Sequence, residues 1–417
     1  MTQLINTKSQ ELLIRIIVLT FPITFIIGSA FFNFYLTIFF LYFFLNIKKI
    51  YQFFDKSIFF TPFIIWAYIF SITLINNYPL IQNYNFENIL KSFFYLRIII
   101  LPLVIAYLIN LYSDLKIQIF KTLIILITII SVDVIFQFNF GVNLIGLENT
   151  NHGMRNSSFF GSELISGSFI SKFTTLSLAS LFIYKNYNKK ILKFFLLILP
   201  IIIIFGVLLS GERMAFLNAI FAIIIFIFLS RNIKILTLAS VIVIILSTII
   251  ISSENLKKRY IYNTGAHLVG IDNAEGLSVF NNIFNNLDNG YHAKIFLNSL
   301  SLSRDNFITG NGIKSYRHRC FEIKKDNCSL HPHNFYLELL HDGGIILIMI
   351  YYYFFISILM TNFKSKINNH SNLSIIAVIL TFLNPVQITG SIFSTWNAGM
   401  IFFIFGLALI PKKNEYK

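Results

Sequence analysis

Charged residues are scarce in this chain of 417 amino acids. Only 12% of the residues are Asp, Glu, Lys or Arg, whereas hydrophobic residues make up 56% and the mean hydropathy is +0.72. Soluble globular proteins carry roughly 25% charged residues, so the composition excludes an ordinary soluble domain. The apolar runs also lack the alternation of apolar and polar residues that membrane β-barrels show. The sequence therefore predicts an all-α polytopic membrane protein.

Acidic residues are scarcer still, because 18 Asp and Glu stand against 33 Lys and Arg, for a formal net charge of +15. A surplus of this sign occurs in proteins that bind nucleic acid and in proteins at anionic lipid surfaces. The basic residues mostly flank the apolar runs, which is the topology signal of membrane proteins, and they form no basic stripe on a soluble face. We therefore expect membrane lipids as partners and no nucleic acid.

About twelve apolar runs have the length of a membrane-spanning helix, roughly 16 to 22 residues. We predict these spans at residues 12–29, 31–47, 57–75, 92–111, 118–139, 164–184, 191–209, 214–230, 233–252, 344–361, 373–391 and 395–411. The small residues at 28–30 resemble a signal-peptide cleavage site, but a second apolar run follows at once. We therefore expect the first two spans to form a retained helical hairpin.

Lys and Arg are concentrated in alternate loops. If the N-terminus is cytoplasmic, the short loops on the other side hold only Lys91, Arg155 and Arg213, and the cytoplasmic loops hold many more basic residues. This asymmetry predicts that both termini lie on the cytoplasmic side of a bacterial inner membrane and that the long loop lies in the periplasm. The expected organisation is helices 1–9 in residues 1–252, a periplasmic loop domain in 253–333, and helices 10–12 with a cytoplasmic C-terminus in 334–417.

The chain has only two cysteines, and both lie in the predicted periplasmic loop. A disulfide between Cys320 and Cys328 is the simplest interpretation, because the compartment outside the inner membrane is oxidising. A metal site is an alternative, since His331 and His333 follow closely and could complete a set of zinc ligands. The seven residues between the cysteines are not a usual zinc spacing, so we expect no metal. Free thiols are the third possibility.

Apart from basic residues near their cytoplasmic ends, the predicted spans contain the charged residues Arg97, Asp133 and Lys172. All three lie in the outer parts of their spans, and charge at such a depth is costly and often functional. A transporter would more often place these residues near the midplane. They either support a site at the periplasmic face or form a structural ion-pair set that reaches the interface.

Two short outer loops carry an arginine among small residues: "GMRNSSFFGSE" at 153–163 contains Arg155, and "SGERMAF" at 210–216 contains Arg213. A guanidinium donates two parallel hydrogen bonds, and backbone N–H groups at the start of a helix attract anions, so both loops suit phosphate oxygens. A lipid-headgroup anchor is the alternative for either arginine taken alone.

The stretch "CSLHPHNFYLELLHDGG" at 328–344 concentrates ionisable residues just before an apolar run. We predict that a helix begins near His333 or Asn334, which puts Asn334, Glu338 and His341 on one face. His333 would then lie at the positive end of the helix, which favours the neutral imidazole. A neutral histidine at this position can act as a general base, although an ordinary interface residue is the alternative.

These features together resemble the O-antigen ligase and O-antigen polymerase superfamily of bacterial inner-membrane proteins. The resemblance covers the span number, the long loop between spans nine and ten, and the arginine between spans seven and eight. The ligases have His, then Asn, Ser or Gln, then nine residues, then Gly, and His333, Asn334 and Gly344 fit this pattern. Leu347 departs from the Gly, Thr or Tyr usual at a further position. The stretch "FITGNGIKSYR" at 307–317 resembles the Gly-x-Gly turn of the family.

The resemblance implies a metal-independent glycosyltransferase without a cofactor. Such an enzyme moves a glycan from an undecaprenyl diphosphate carrier to an acceptor hydroxyl at the periplasmic face of the inner membrane. The acceptor is lipid A–core for a ligase and a second lipid-linked glycan for a polymerase. A polysaccharide flippase is a further alternative, but its polar residues should follow a path across the membrane, and here they stop at the outer side.

The resemblance also assigns roles to residues. His333 and Asn334 are the expected catalytic residues, and Pro332 makes His331 the less expected base. The ligases carry another essential arginine in the long loop, but "LDNGYHAKIF" at 287–296 contains none. His292 and Lys294 are the basic candidates there. The expected diphosphate-binding residues are Arg213, Arg155, His292, Lys294 and Arg317. The expected supporting residues are Glu338, His341, Arg97 and Lys172.

Overall fold

The computed structural model describes residues 2–77, 85–112, 114–148, 155–183, 190–264, 290–323, 327–364, 370–385 and 387–410. Over these ranges the protein consists of helices and loops, with one isolated bridge between Val142 and Glu148. The all-α class predicted from the composition is therefore confirmed.

The helices of the described ranges are numbered here in chain order. They are α1 (Thr2–Ile27), α2 (Ser29–Leu45), α3 (Ile47–Phe53), α4 (Lys56–Asn77), α5 (Asn85–Phe94), α6 (Leu96–Ile99), α7 (Leu101–Leu111), α8 (Leu115–Phe140), α9 (Ser166–Ser171), α10 (Thr174–Ile183), α11 (Lys190–Leu209), α12 (Arg213–Ser230), α13 (Ile233–Ser252), α14 (Glu254–Lys257), α15 (Tyr291–Leu302), α16 (Ser315–Glu322), α17 (Phe335–Lys364), α18 (His370–Phe382) and α19 (Thr395–Ala408). A 3-10 turn covers Ser158–Phe160, and a π-helical turn covers Lys258–Tyr262.

Six helical stretches of the described chain are long and apolar enough to cross a membrane. They are Lys8–Ile27, Lys56–Asn76, Phe86–Leu111, Leu115–Phe140, Arg213–Ser230 and Phe335–Phe363. Two bent pairs raise the number to eight if each is one span, and these pairs are α2 with α3 (81°) and α13 with α14 (99°). The twelve-span arrangement and the periplasmic position of the long loop stay predictions.

Two predicted spans are interrupted in the structure. The predicted span 164–184 is divided into α9 and α10. The predicted span 373–391 was wrong in its second half, because α18 ends at Phe382 and the described residues of 383–394 are not helical. High hydropathy indicates that a segment is shielded from water, but it does not indicate that the segment is helical. An irregular segment packed against the helices can have the same hydropathy as a spanning helix.

The prediction of a helix that begins near His333 or Asn334 is confirmed, because α17 begins at Phe335. The helix passes through a kink at Gly344, the residue at which span ten was expected to start. The stretch 307–312 lies against this kink. The N–H of Ile345 donates to the Phe307 carbonyl (3.0 Å), and the N–H of Gly312 donates to the Asp342 carbonyl (2.8 Å). These hydrogen bonds attach the long loop to the membrane helix at the kink.

Two glycines make this attachment sterically possible. A Cβ atom on Gly310 would lie 2.4 Å from the Cα of Gly343. A Cβ atom on Gly344, where φ is 66°, would lie 2.1 Å from the carbonyl oxygen of Ile308. The Gly-x-Gly turn and the glycine that follows the His-Asn pair therefore serve the same backbone contact.

Apolar packing forms one large core and one small one. In the large core α8 packs on α11, α7 packs on α19, and α18 packs on both α10 and α12. The small core lies between α15 and α16 and contains Ile295, Leu302, Tyr316 and Cys320. The described part of the long loop thus has its own apolar centre, and α17 contacts both α15 and α16.

We predict that Gly344→Ala lowers the thermal midpoint of the purified protein more than Gly161→Ala does. Both glycines have nearly the same positive φ, 66° and 64°, a backbone conformation that alanine adopts only with strain, so both variants are strained. Only Gly344 also faces a backbone atom, since no atom lies within 4 Å of a Cβ on Gly161. Thermal melting of both variants in detergent measures the difference. Equal midpoints would show that the loop does not depend on this contact.

Candidate functional site

The two arginine-bearing outer loops lie against each other. The N–H of Asn156 donates to the Ser210 carbonyl (3.1 Å), and its side-chain amide donates to the Leu209 carbonyl (2.6 Å). Residues 153–154 of the first loop lie outside the described ranges. These hydrogen bonds bring the loop that carries Arg155 to the start of α12, whose first residue is Arg213.

Three arginines gather at the N-terminal end of α12, namely Arg155, Arg213 and Arg259, and they are close enough to repel one another. Each donates to a backbone carbonyl: Arg155 to Leu164 (2.7 Å), Arg213 to Asn263 (2.8 Å) and Arg259 to Gly211 (2.9 Å). Within the described residues, no carboxylate lies within 4 Å of these guanidinium groups. The cluster therefore keeps positive charge that can attract an anion.

Glu212 is the acidic residue beside this cluster. Its carboxylate accepts hydrogen bonds from the N–H groups of Gly167 (2.7 Å) and Ser168 (3.2 Å). Burial raises the pKa of Glu212 to about 7, although Arg155 and the two N–H groups act in the opposite direction. The carboxyl is therefore only partly ionised near neutral pH, and it offsets the arginines incompletely.

The three ionisable residues of the predicted spans do not form an ion-pair set. Arg97 donates to the side chain of Asn33 (2.6 Å), and Lys172 donates to the carbonyl (2.9 Å) and hydroxyl (2.8 Å) of Ser168. Asp133 accepts from the hydroxyl of Ser158 (2.5 Å). The structural ion-pair alternative is thus wrong, and of the three only Lys172 lies near the arginine cluster, through Glu212.

Three histidines gather before α17. The His333 ring lies 4.1 Å from the His331 ring and 5.5 Å from the His292 ring, measured between centroids. Burial lowers the pKa of His333 below its ordinary value of 6.5. Burial and the neighbouring His333 lower the pKa of His331 to about 4. Both rings are therefore neutral at pH 7.

His333 precedes the helix and does not begin it. It has a positive φ of 54°, and α17 begins two residues later at Phe335. The Asn334 side chain caps the helix, because its oxygen accepts from the N–H groups of Tyr336 (2.9 Å) and Leu337 (3.1 Å). Burial lowers the pKa of His333, and the additional effect of the helix dipole stays a prediction.

Glu338 and His341 follow on α17 but face other elements. The Glu338 carboxyl group accepts from the Ser391 hydroxyl (2.5 Å) and the Ile392 N–H (2.8 Å). The His341 ring lies 3.4 Å from the Ser303 hydroxyl. Among the described residues neither side chain has a hydrogen bond or ring contact with His333. Both therefore hold the surroundings of α17 in place.

The three basic candidates of the long loop differ in position. His292 reaches the histidine group, as its ring contact with His333 shows. Lys294 is exposed on α15. Arg317 interacts electrostatically with His331, and its buried Nε has no hydrogen-bond partner in the described part of the chain. Of the three, His292 and Arg317 lie where a substrate near His333 could meet them.

Cys320 and Cys328 are joined by a disulfide, with 5.7 Å between their Cα atoms. Cys320 is buried in the small core between α15 and α16. The bond therefore ties the segment that leads to His331 and His333 to that core. In the described ranges no group of three or more His, Cys, Asp or Glu side chains is arranged to hold a metal ion.

A series of contacts joins the arginines to the histidines. The ammonium of Lys172, bound to Ser168, lies 5.6 Å above the ring of Trp396 in α19. The residues just before α19 bind Glu338, four positions into α17. The elements that carry the arginine and histidine groups are thus linked through Trp396 and Glu338.

Sequence reasoning missed Arg259. It lies in the run "KKRYIY" at 257–262 of the predicted long loop, whose basic residues were set aside because long loops escape the charge rule. One sequence feature could have identified it: three successive basic residues stand on the side of the membrane where such residues are otherwise scarce. The structure places Arg259 beside Arg213.

The comparison with protein families covers part of this site. A family model described as O-antigen ligase matches residues 195–352. The match contains Arg213, Arg259, His292 and His333. The resemblance to the O-antigen ligase and polymerase superfamily is confirmed. With the apolar helices, the match indicates a multi-pass bacterial membrane protein of lipopolysaccharide biosynthesis with ligase-like or polymerase-like activity.

The O-antigen ligase match covers less than half of the chain. Arg155 and Lys172 precede it, and the connection between α18 and α19 follows it. No curated protein matches the chain at a significant level. The parts of the ligase-like site outside 195–352 therefore rest on the geometry of this protein alone.

We predict that His331 and His333 are each neutral in more than half of the folded molecules at pH 6.5. NMR of the protein with ring-labelled histidine measures this, with His331→Gln and His333→Gln variants to assign the signals. The pKa of His333 should lie below 6.5, and that of His331 should rise from about 4 when His333 is replaced, because a repelling neighbour is removed. The denatured protein supplies the reference. A His333 pKa above 6.5 would contradict the burial argument.

Proposed function

We propose that this protein transfers a glycan from an undecaprenyl diphosphate carrier to a hydroxyl of lipid A–core, at the periplasmic face of the bacterial inner membrane. The O-antigen ligase match supports a reaction of this class. Two observations carry the proposal: an arginine cluster without a carboxylate within 4 Å among the described residues, and a partly buried histidine, His333, whose pKa lies below 6.5.

The arginine cluster suits the carrier diphosphate. Arg155, Arg213 and Arg259 each use only part of their donors on backbone carbonyls, and the buried Nε of Arg155 has no partner in the described chain. Guanidinium groups bind phosphate oxygens through parallel hydrogen bonds, which are stronger when an ionised group takes part. Burial strengthens the attraction further, because water screens it less.

The histidine group suits the acceptor. In the proposed step an acceptor hydroxyl oxygen bonds to the anomeric carbon of the glycan, while the bond from that carbon to the diphosphate oxygen breaks. The hydroxyl proton passes to the neutral His333, and the diphosphate leaves with the electron pair. Preorganised donors that stabilise such developing charge are commonly the largest catalytic contribution, and here Arg155, Arg213 and Arg259 would supply them.

Other residues of the site hold these groups in place. Asn334 caps α17 and also donates to the carbonyls of Pro385 (2.7 Å) and Gln387 (3.1 Å), which fixes the backbone next to His333. His292 packs against His333 from α15. Arg317 would add a cation on the acceptor side, where lipid A–core carries negative groups.

A polymerase that extends the lipid-linked glycan is the second candidate. Two sequence features favour it, because Leu347 departs from the ligase pattern and residues 287–296 contain no arginine. Purified protein, a radiolabelled undecaprenyl-diphosphate glycan and either lipid A–core or a second lipid-linked glycan separate the two. Label on lipid A–core supports the ligase, and a lengthened lipid-linked glycan supports the polymerase. Transfer to neither acceptor by folded protein contradicts the proposal.

We predict that His333→Asn abolishes detectable transfer, because a general base is worth about 10²–10⁴-fold. Asparagine is chosen since it tolerates the positive φ of 54° at this position. His331→Ala should be milder, and both variants should remain in the membrane at wild-type abundance. The assay above and surface-glycan staining of complemented cells measure the effects. An inactive His331 variant beside an active His333 variant would reverse the assignment.

We predict that Arg213→Lys slows transfer by roughly 10²-fold or more, nearly as much as Arg213→Ala, because an ammonium cannot make two parallel hydrogen bonds to phosphate. Arg259→Ala should cause a loss of similar size. The matched control is Arg231→Lys, an exposed arginine at the other end of the same helix, which should keep wild-type rates. Steady-state transfer rates measure these effects. Full activity of Arg213→Ala would show that Arg213 does not take part in the reaction.

A further inference from the structure

The connection between α18 and α19 lies beside the histidine group. The N–H of Thr389 donates to the carbonyl of His333 (2.8 Å). Before it, the carbonyls of Pro385 and Gln387 accept from Asn334, and after it Glu338 binds Ser391 and Ile392. The connection is therefore attached to α17 on both sides of Thr389, and Thr389 has a fixed position next to His333.

The hydroxyl of Thr389 is unusual among the threonines of this protein. It is buried and has no hydrogen-bond partner in the described part of the chain. Many threonines on the helices donate to a carbonyl three or four residues earlier, as Thr20, Thr61, Thr73 and Thr381 do. The residues around Thr389 are not helical, so this hydroxyl has no such carbonyl. A buried hydroxyl without a partner is destabilising, and a bound polar group would remove that cost.

A second unpartnered atom lies next to Thr389. A ring nitrogen of His331 donates a hydrogen bond to the backbone of Thr389, which favours a proton on that nitrogen. The Nε2 atom of His331 is buried without a partner among the described residues, so the bonded nitrogen is Nδ1. The neutral ring then presents Nε2 as an acceptor. An acceptor nitrogen needs a ligand that donates.

We infer that Thr389 and His331 form a subsite for the acceptor sugar, in which they hydrogen-bond neutral hydroxyls next to the one that His333 activates. Sugar hydroxyls both donate and accept, as a threonine hydroxyl and an imidazole acceptor require. Fully ionised phosphate cannot donate to His331, and Arg155, Arg213 and Arg259, which are assigned to the diphosphate, lie on other elements. This subsite rests on the proposed transfer reaction. The segment 387–394, which contributes Thr389 to it, lies outside the O-antigen ligase match at 195–352.

The test measures transfer kinetics of purified Thr389→Val protein, with the radiolabelled undecaprenyl-diphosphate glycan as donor and whichever of the two acceptors the wild-type protein uses. Valine keeps the shape of threonine and removes the hydroxyl. The KM for the acceptor should rise about tenfold, as for the loss of one neutral hydrogen bond. The KM for the donor should stay within about twofold, because the diphosphate is held by the arginines.

Two variants control for structural damage. Thr389→Ser keeps the hydroxyl and should retain the wild-type KM for the acceptor. Thr381→Val removes a hydroxyl that is satisfied within α18 (2.6 Å to the Val378 carbonyl), and it should leave both KM values unchanged. An unchanged acceptor KM in Thr389→Val, or an equal rise in both KM values, overturns the subsite. Wild-type protein that transfers to neither acceptor instead overturns the proposed function on which the subsite rests.

Discussion

The contact between the backbone at Gly310 and the backbone at Gly343 determines how the long loop meets the membrane helices. No side chain fits between these segments, and the kink at Gly344 turns α17 so that its N-terminal part faces the loop. Tyr68 reinforces the junction, because its hydroxyl lies 3.0 Å from the carbonyl oxygens of both Thr309 and Gly343. The histidines precede this part of α17, so their position follows from the junction.

Burial then sets the charge state of the groups that the fold brings together. The arginines use backbone carbonyls as partners. The nearby carboxyl of Glu212 neutralises them incompletely, because burial raises its pKa to about 7 and leaves it only partly ionised. On the other side of the site, burial lowers the pKa of His333 and leaves a proton acceptor. One physical effect thus prepares a cationic region and a proton acceptor, which are the two features that the proposed transfer needs.

The helical class, most helix positions and the Arg213 and His333 candidates were accessible from the sequence, because long apolar runs and local charge carry that information. Irregular segments inside the bundle were not. Residues 383–394 are apolar enough to be taken for part of a span, yet they are tied to α17 by hydrogen bonds that no local pattern reveals. Arg259 was missed because basic residues of a long loop are exempt from the charge rule and so carry no topology signal. Thr389 carries no charge and belongs to no motif, so only its missing hydrogen bond identifies it.

The central claim is that the carrier diphosphate binds the arginine cluster while His333 stays available to the acceptor. A cryo-electron microscopy structure of the purified protein with undecaprenyl diphosphate tests it most directly. The account predicts phosphate density within hydrogen-bonding distance of Arg155, Arg213 and Arg259, with the side of His333 next to Thr389 left open for a sugar. Phosphate density at Arg317 and the histidines, with the three arginines empty, would contradict it.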